Sequence, residues 1–381
     1  MVKRSAKLSS FLLGFIYFSV CSVIGVYSGY CADHYFDGNL ILSYLIILGL
    51  TFAAYLPHIL IHEFGHFVFG KLTGYRFKSF RVFGLMWQRD GDGKIRFYRY
   101  HLAGTGGQCL MAPPEMKNGD MPYVLYNLGG VFFNLLLGLA GMLTAGLLSE
   151  GAPGEIYGKI LYILGFAFAL VNALPLPGVS NDGSNCLSLS KSVNARKSFW
   201  IQMNGVVLLS EGKRVREFPE EWFVKPTREQ MRNPIEATMA VYICDRLMDT
   251  HDFRAAQTYI DELLGCETGI LQIHLQLLRC NALYCELIGH GDSERVKAYR
   301  SAEWEAFCKS MKTNPTVLRT QYAYEKLYRK DEAQAAKYLA QFEKTAKTFP
   351  YPCEIETERE LIAIADEKAA SFTDPSEKND E

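Results

Sequence analysis

The sequence predicts a mainly α protein: a polytopic α-helical membrane domain with a small β-hairpin element, followed by a soluble all-α domain. Two observations predict this fold class. The chain has 381 residues, 49% of them hydrophobic, but every apolar stretch long enough to cross a bilayer lies before about residue 178. One crossing needs about 20 residues of helix. After about residue 190 apolar residues recur at helical spacing, without such a stretch.

Four membrane spans are predicted, at about residues 8–30, 40–72, 122–148 and 156–176. The first is either a signal peptide or an anchor. Its apolar run exceeds the about 7 to 15 residues of a signal peptide, so an uncleaved anchor is favoured. The second is longer than one perpendicular span needs, and Pro57 is expected to kink or divide it.

The distribution of Lys and Arg predicts the orientation, because cytoplasmic loops retain positive charge. Basic residues precede the first span, follow the second, and recur from Lys191 onward, whereas Asp33–Asp37 and Ser149–Glu155 contain none. Both termini are therefore predicted to be cytoplasmic.

The central motif is His62-Glu63-Phe64-Gly65-His66, within the second predicted span. Residues four apart share a helix face, so two imidazoles can bind one zinc ion while Glu63 reaches the metal-bound water. Two His and a Glu are costly within a lipid-like helix, and such residues are functional candidates. The alternative is a hydrogen-bonded polar cluster between helices.

A catalytic zinc usually takes three protein ligands, so a third is sought elsewhere. The fourth span ends in Asn172-Ala-Leu-Pro-Leu-Pro-Gly-Val-Ser-Asn-Asp182-Gly183. The prolines would end or unwind the helix and bring Asp182 to about the depth of the histidines. Alternatively, Asn-Asp-Gly is simply a turn.

Two further residues lie near these motifs. His58 precedes His62 by one helical turn and is expected to line a polar cleft, to hydrogen-bond to a ligand, or to be an alternative ligand. Cys186 could bind metal, but a small buried apolar role is favoured.

Over about residues 8–190 the chain resembles the site-2 protease family of intramembrane zinc metallopeptidases. Members carry HExxH on one core helix and an Asn-x-x-Pro-x-Pro-x-x-Asp-Gly type motif on a later one. The resemblance implies that His62, His66 and Asp182 are zinc ligands, that Glu63 is the base, and that Asn172 lies beside the substrate. Four residues rather than the usual two separate Pro177 from Asp182.

Two weaker matches concern substrate binding. Gly104–Met111 resembles the family's membrane-dipping segment that pairs with an extended substrate, which makes Gly106 and Gly107 candidates. Asn134 stands where the family often has Gly-Pro-x-x-Asn and is also a candidate. The glycine pair before it is equally typical of close helix packing.

The rest of the chain is predicted to be a hairpin and a helical domain. Strand-like stretches at 81–88 and 94–100 flank a turn rather than a calcium loop. Residues 191–370 are expected to be a cytosolic helical domain, because segments such as 252–264 and 331–342 resemble tetratricopeptide-type helices. A plain bundle is the alternative. Residues 371–381 are predicted to be a disordered tail.

Taken together, these features predict an intramembrane zinc metalloprotease. Its substrates would be membrane-anchored proteins or peptides cut near the cytosolic face, in the bacterial inner membrane, with a possible protein partner for the helical domain. The alternative is a non-proteolytic membrane adaptor that recruits partners through that domain. A net charge of -1, without a basic stripe, argues against nucleic acid as a partner.

Overall fold

The computed structural model describes residues 2–100, 106–175 and 180–371. The elements up to the end of the last apolar helix are α1 (Val2–Tyr35), α2 (Leu40–Leu72), β1 (Arg76–Val82), β2 (Leu85–Arg89), β3 (Ile95–Arg99), β4 (Gly107–Ala112), α3 (Val124–Leu147) and α4 (Pro153–Ala173). The helices that follow are α5 (Asp182–Ser190), α6 (Val193–Ser210), α7 (Pro234–Asp249), α8 (Phe253–Leu264), α9 (Gln272–Ile288), α10 (Ser293–Tyr299), α11 (Ala302–Ser310), α12 (Pro315–Ala323), α13 (Glu332–Ala346) and α14 (Pro352–Ser371).

The described chain is mainly helical with a few antiparallel strands, in which β1 pairs with β4 and β2 pairs with β3. This confirms the mainly α part of the predicted fold class. It divides into two compact units. The first comprises Met1–Gly84 and Thr105–Lys197, and the second comprises Leu85–Gly104 and Ser198–Glu381.

Three helices among the described residues, α2, α3 and α4, are long and apolar enough to cross a membrane. They correspond to the second, third and fourth predicted spans. Helix α2 has the predicted bounds and runs through Pro57 without dividing. Proline cannot donate to the carbonyl four residues earlier; the Tyr157 hydroxyl donates to that carbonyl, on Ala53, at 3.3 Å. The first predicted span is helical within α1, and its role as a span stays a prediction.

Glycines bring the three apolar helices of the first unit together. A Cβ added to Gly65 of α2 would stand 2.3 Å from the carbonyl oxygen of Gly129 on α3, and one added to Gly165 of α4 would stand 2.7 Å from the Cα of Gly138 on α3. Such contacts let helix backbones approach closely. The packing places the inner faces of α2 and α3 directly against each other.

The hairpin β2–β3 forms around the predicted turn, with Leu85 opposite Arg99 and Arg89 opposite Ile95. The predicted strand 81–88 is wrong in one respect: Phe83 and Gly84, with φ of 51° and 82°, divide it into β1 and β2. The hairpin belongs to the second unit, where Gln88 donates to the Pro350 carbonyl at 3.2 Å.

Two helices of the second unit that the sequence singled out, α8 and α13, begin at capping aspartates. Asp252 accepts a hydrogen bond from the backbone of Ala255 before α8, and Asp331 accepts one from Gln334 before α13. Capping of this kind satisfies backbone donors that the first helical turn leaves unpaired. A repeat architecture stays a prediction, and residues 372–381 of the predicted tail lie outside the described residues.

Candidate metal centre

Two histidines of α2, His62 and His66, meet the side chain of Asp182, which lies more than a hundred residues further along the chain. The Nε2 atom of His62 lies 3.3 Å from Oδ2 of Asp182, and the Nε2 atom of His66 lies 3.6 Å from Oδ1. The two Nε2 atoms are 3.2 Å apart. Ligand atoms held tetrahedrally at about 2.0–2.1 Å from one zinc ion stand roughly 3.3 Å from each other. The three residues can therefore hold one metal ion.

Of the three side chains, the Asp182 carboxyl would be stabilised most by a bound cation. Its Oδ2 atom is buried and has no hydrogen-bond donor among the described residues. An acceptor buried without a donor costs free energy. Burial, followed by the negative charge of Glu63, raises the pKa of the Asp182 carboxyl to about 8. A bound cation would favour the ionised carboxylate and satisfy the orphaned oxygen.

His66 is held in the tautomer that a metal ligand requires. Its Nδ1 atom lies 2.7 Å from the backbone carbonyl oxygen of Tyr126, at the start of α3. A carbonyl oxygen can only accept, so Nδ1 carries the proton and Nε2 keeps its lone pair. Sequence reasoning missed Tyr126. No signal in the sequence could have found it, because the contact uses only its backbone.

His62 fits against α3 because Gly130 has no side chain. A Cβ there would stand 2.4 Å from Cε1 of the imidazole. The glycine pair of α3 therefore serves both close helix packing and the site. The Nδ1 atom of His62 lies 3.0 Å from Nδ2 of Asn134, which is fully buried. Asn134 thus lies against His62, and its predicted contact with substrate stays a prediction.

Asp182 is positioned by the residue before it. The side chain of Asn181 accepts from the backbone of Ser184 at 2.8 Å, which caps α5. Its amide nitrogen donates to the carbonyls of Val171 and Leu174 at 2.7 Å each, which ties the cap to the end of α4. These contacts hold Asp182 at the histidines despite the longer spacing from Pro177, which lies outside the described residues.

Glu63 faces strand β4. Its carboxyl group lies so close to Gly107 that a Cβ there would be 2.6 Å from both Cγ and Oε1, and one on Gly106 would be 2.8 Å from Ile59. Arg81, which is 1% exposed, donates to the Gly107 carbonyl at 3.3 Å, and its charge acts on Glu63. Sequence reasoning missed this arginine, although its position in the strand after the HExxH helix was a usable signal.

The remaining candidates differ in their relation to the metal group. The Asn172 amide donates within α4, to the Phe168 carbonyl at 2.9 Å, and among the described residues it makes no hydrogen bond to the three ligands. Cys186 is half-buried, and burial followed by the charge of Asp182 raises the pKa of its thiol to about 12, which favours the predicted role of a packed thiol. His58 is fully buried and hydrogen-bonds to Asn134.

The site thus combines two imidazoles, a carboxylate that lacks a donor, a second carboxylate 8% exposed, and the strand β4 beside it. Comparison of the chain with models of protein families, with curated proteins and with solved structures finds no match. Its function is therefore inferred from the geometry of these residues.

Proposed function

We propose that the protein is an intramembrane zinc metalloprotease that hydrolyses peptide bonds of membrane-anchored proteins or peptides near the cytosolic face. The observation that carries the proposal is that Asp182 of α5 meets His62 and His66 beside Glu63. The two histidines and Glu63 belong to α2, a helix apolar enough to cross a membrane. Two histidines, a carboxylate and an open fourth position are the ligand set of many catalytic zinc sites.

Zinc bound by these three residues would supply a Lewis acid that activates water and polarises the scissile carbonyl. The other tasks belong to the chain. Glu63 takes a proton from the attacking water and delivers it to the leaving amine. Its contact with Gly107 and the nearby charge of Arg81 hold and orient the carboxylate for this transfer.

Strand β4 supports binding of an extended substrate. It pairs on one side with β1, from Gly107 opposite Val82 to Ala112 opposite Arg76, and among the described residues no strand pairs with its other side. An edge strand can accept a further strand through its backbone hydrogen bonds. A peptide paired there would pass beside Glu63, because the missing side chains of Gly106 and Gly107 let β4 lie directly against Ile59 and Glu63 of α2. The substrate helix must unwind locally to pair in this way.

The metal half of the proposal is tested by elemental analysis of the detergent-purified full chain after zinc is supplied. We expect about one zinc per wild-type chain, and near-complete loss in His62→Ala and in Asp182→Ala. A wild-type protein without zinc would contradict the proposal. Asn127→Ala, at another buried polar residue of the first unit, is the matched control and should keep its zinc.

The catalytic half is tested with a library of single-span transmembrane peptides, reconstituted with the protein in vesicles and examined for cleavage by mass spectrometry. Glu63→Gln should keep zinc but cut about 10² to 10⁴ times more slowly than wild type, because it cannot accept the proton. A zinc-loaded wild type that cuts none of the peptides, or a Glu63→Gln that cuts them at full rate, would instead favour the adaptor.

A further inference from the structure

A chain of hydrogen-bonding groups runs through the membrane helices behind His62. The Nε2 atom of His58 lies 3.0 Å from the carbonyl oxygen of Leu161 on α4. Its Nδ1 atom lies 3.2 Å from Oδ1 of Asn134 on α3, and the Nδ2 atom of the same amide lies 3.0 Å from Nδ1 of His62. His58 and Asn134 are both fully buried, so the polar atoms of each must find their partners inside the protein.

Proton accounting shows that the amide of Asn134 is turned the wrong way for metal binding. The Leu161 carbonyl can only accept, so Nε2 of His58 carries a proton, and a neutral imidazole then has a lone pair at Nδ1. That lone pair faces Oδ1, another acceptor. At the other end Nδ2 donates to Nδ1 of His62, which moves the proton of His62 to Nε2, the atom that faces Asp182.

A half-turn of the Asn134 amide removes the conflict at His58 and the one at His62. The turn fits the same space, because the amide oxygen and the amide nitrogen that it exchanges are nearly equal in size. The amide nitrogen then donates to Nδ1 of His58, and the amide oxygen accepts from Nδ1–H of His62. The Nε2 lone pair of His62 is left facing Asp182 and His66. Which end of an asparagine amide is nitrogen is properly assigned from its hydrogen-bond network.

We infer that His58 and Asn134 are positioning residues: His58 holds the Asn134 amide in the orientation that fixes His62 as its Nε2-ligating tautomer. The inference rests on the metal site of the proposed function. His58 is itself fixed, because its ring stacks on Phe168 with centroids 5.6 Å apart and planes 14° from parallel. The Tyr126 carbonyl fixes the tautomer of His66 directly, by accepting from its Nδ1–H.

Two substitutions at Asn134 separate this arrangement from its opposite. An ionised aspartate has the same shape as asparagine but only accepts hydrogen bonds, so Asn134→Asp keeps the acceptor for Nδ1–H of His62. Leucine removes it. If instead the amide nitrogen faced His62, Asn134→Asp would remove the N–H donor to His62 and should weaken zinc binding.

The test measures the zinc affinity of the detergent-purified full chain by competition with a chelator. We expect Asn134→Leu to weaken zinc binding about 10- to 100-fold, the usual effect of losing an outer hydrogen-bond partner, and Asn134→Asp to stay within a few-fold of wild type. His58→Leu should weaken binding in the wild-type background but add nothing in Asn134→Leu, because it acts only through the amide. Asn127→Leu, at a buried asparagine on the same helix whose amide donates to Tyr123, is the control.

Each outcome decides the matter. The inference is overturned, and the zinc site is not, if Asn134→Asp binds zinc as weakly as Asn134→Leu. It is also overturned if Asn134→Leu binds zinc with wild-type affinity. If the leucine variant does not fold, the isosteric Asn134→Asp still decides between the two orientations. A wild type without zinc overturns the inference and the proposed function together, whereas tight zinc binding without peptide cleavage counts only against proteolysis.

Discussion

The absence of a side chain at Gly107 sets how closely strand β4 approaches Glu63. A methyl group there would stand 2.6 Å from Cγ and Oε1 of the glutamate, so one of the two must move. We expect Gly107→Ala to slow cleavage of the transmembrane peptides at least about tenfold, because misplacing a catalytic group by about 1 Å can cost 10²-fold. Zinc content should not change, since the three ligands are not displaced.

Gly49→Ala is the control for that substitution. Gly49 lies in α2, and a Cβ added there would meet nothing within 4 Å. The variant should cut peptides at the wild-type rate. If Gly107→Ala also cuts at that rate, β4 does not position Glu63 in the way proposed.

At the scale of elements, the start of α5 depends on Asn181. Removing its side chain in Asn181→Ala would lose the helix cap, worth about 1 kcal/mol, and the two hydrogen bonds to the end of α4. We expect Asp182 to become less well placed and zinc affinity, measured by chelator competition, to fall at least about tenfold. Asn181→Asp keeps the cap acceptor but loses both hydrogen bonds to the end of α4. Its zinc affinity should therefore lie between that of the wild type and that of Asn181→Ala.

The matched control is Asn39→Ala, which removes the side-chain cap of α2. Position 39 lies at the end of α2 remote from the histidines, so its loss should cost stability without changing zinc affinity. Equal zinc affinity in the wild type and in Asn181→Ala would show that Asp182 is held by something other than the cap.

At the scale of the whole molecule, the second unit contains two carboxyl groups whose surroundings disfavour the ionised form. Burial, then the charges of Glu358 and Asp249, raise the pKa of Asp245 to about 7. Burial, then Asp245 and Glu358, raise the pKa of Glu354 to about 8. The folded state therefore binds more protons than the unfolded state between about pH 4 and pH 8, and the free energy of unfolding falls as pH rises through this window.

We expect the thermal midpoint of the second unit, followed by circular dichroism of the full chain in detergent, to fall between about pH 5 and pH 9. Asp245→Asn and Glu354→Gln should flatten the slope and raise the midpoint at the alkaline end. Glu356→Gln, at an exposed carboxylate of the same helix α14, should leave the slope unchanged. A wild-type midpoint independent of pH would contradict the assignment.

The amino-acid sequence by itself determined the helices that carry the candidate site. Hydropathy placed α2 at residues 40–72 as observed, and the two histidines share its face because they are four positions apart. These are properties of neighbouring residues, and local spacing decides them. Asp182 as the third ligand came from a motif resemblance, and the geometry of the three side chains supports it.

Only the tertiary structure decided what surrounds those residues. It placed Asn134 between His58 and His62, the Tyr126 carbonyl at His66, and Gly107 against Glu63. These contacts join residues from about 40 to 80 positions apart on different elements. They depend on how closely glycines let α2 and α3 approach and on the register of β4 with β1. No local pattern encodes such distances, because close packing is a property of two surfaces together.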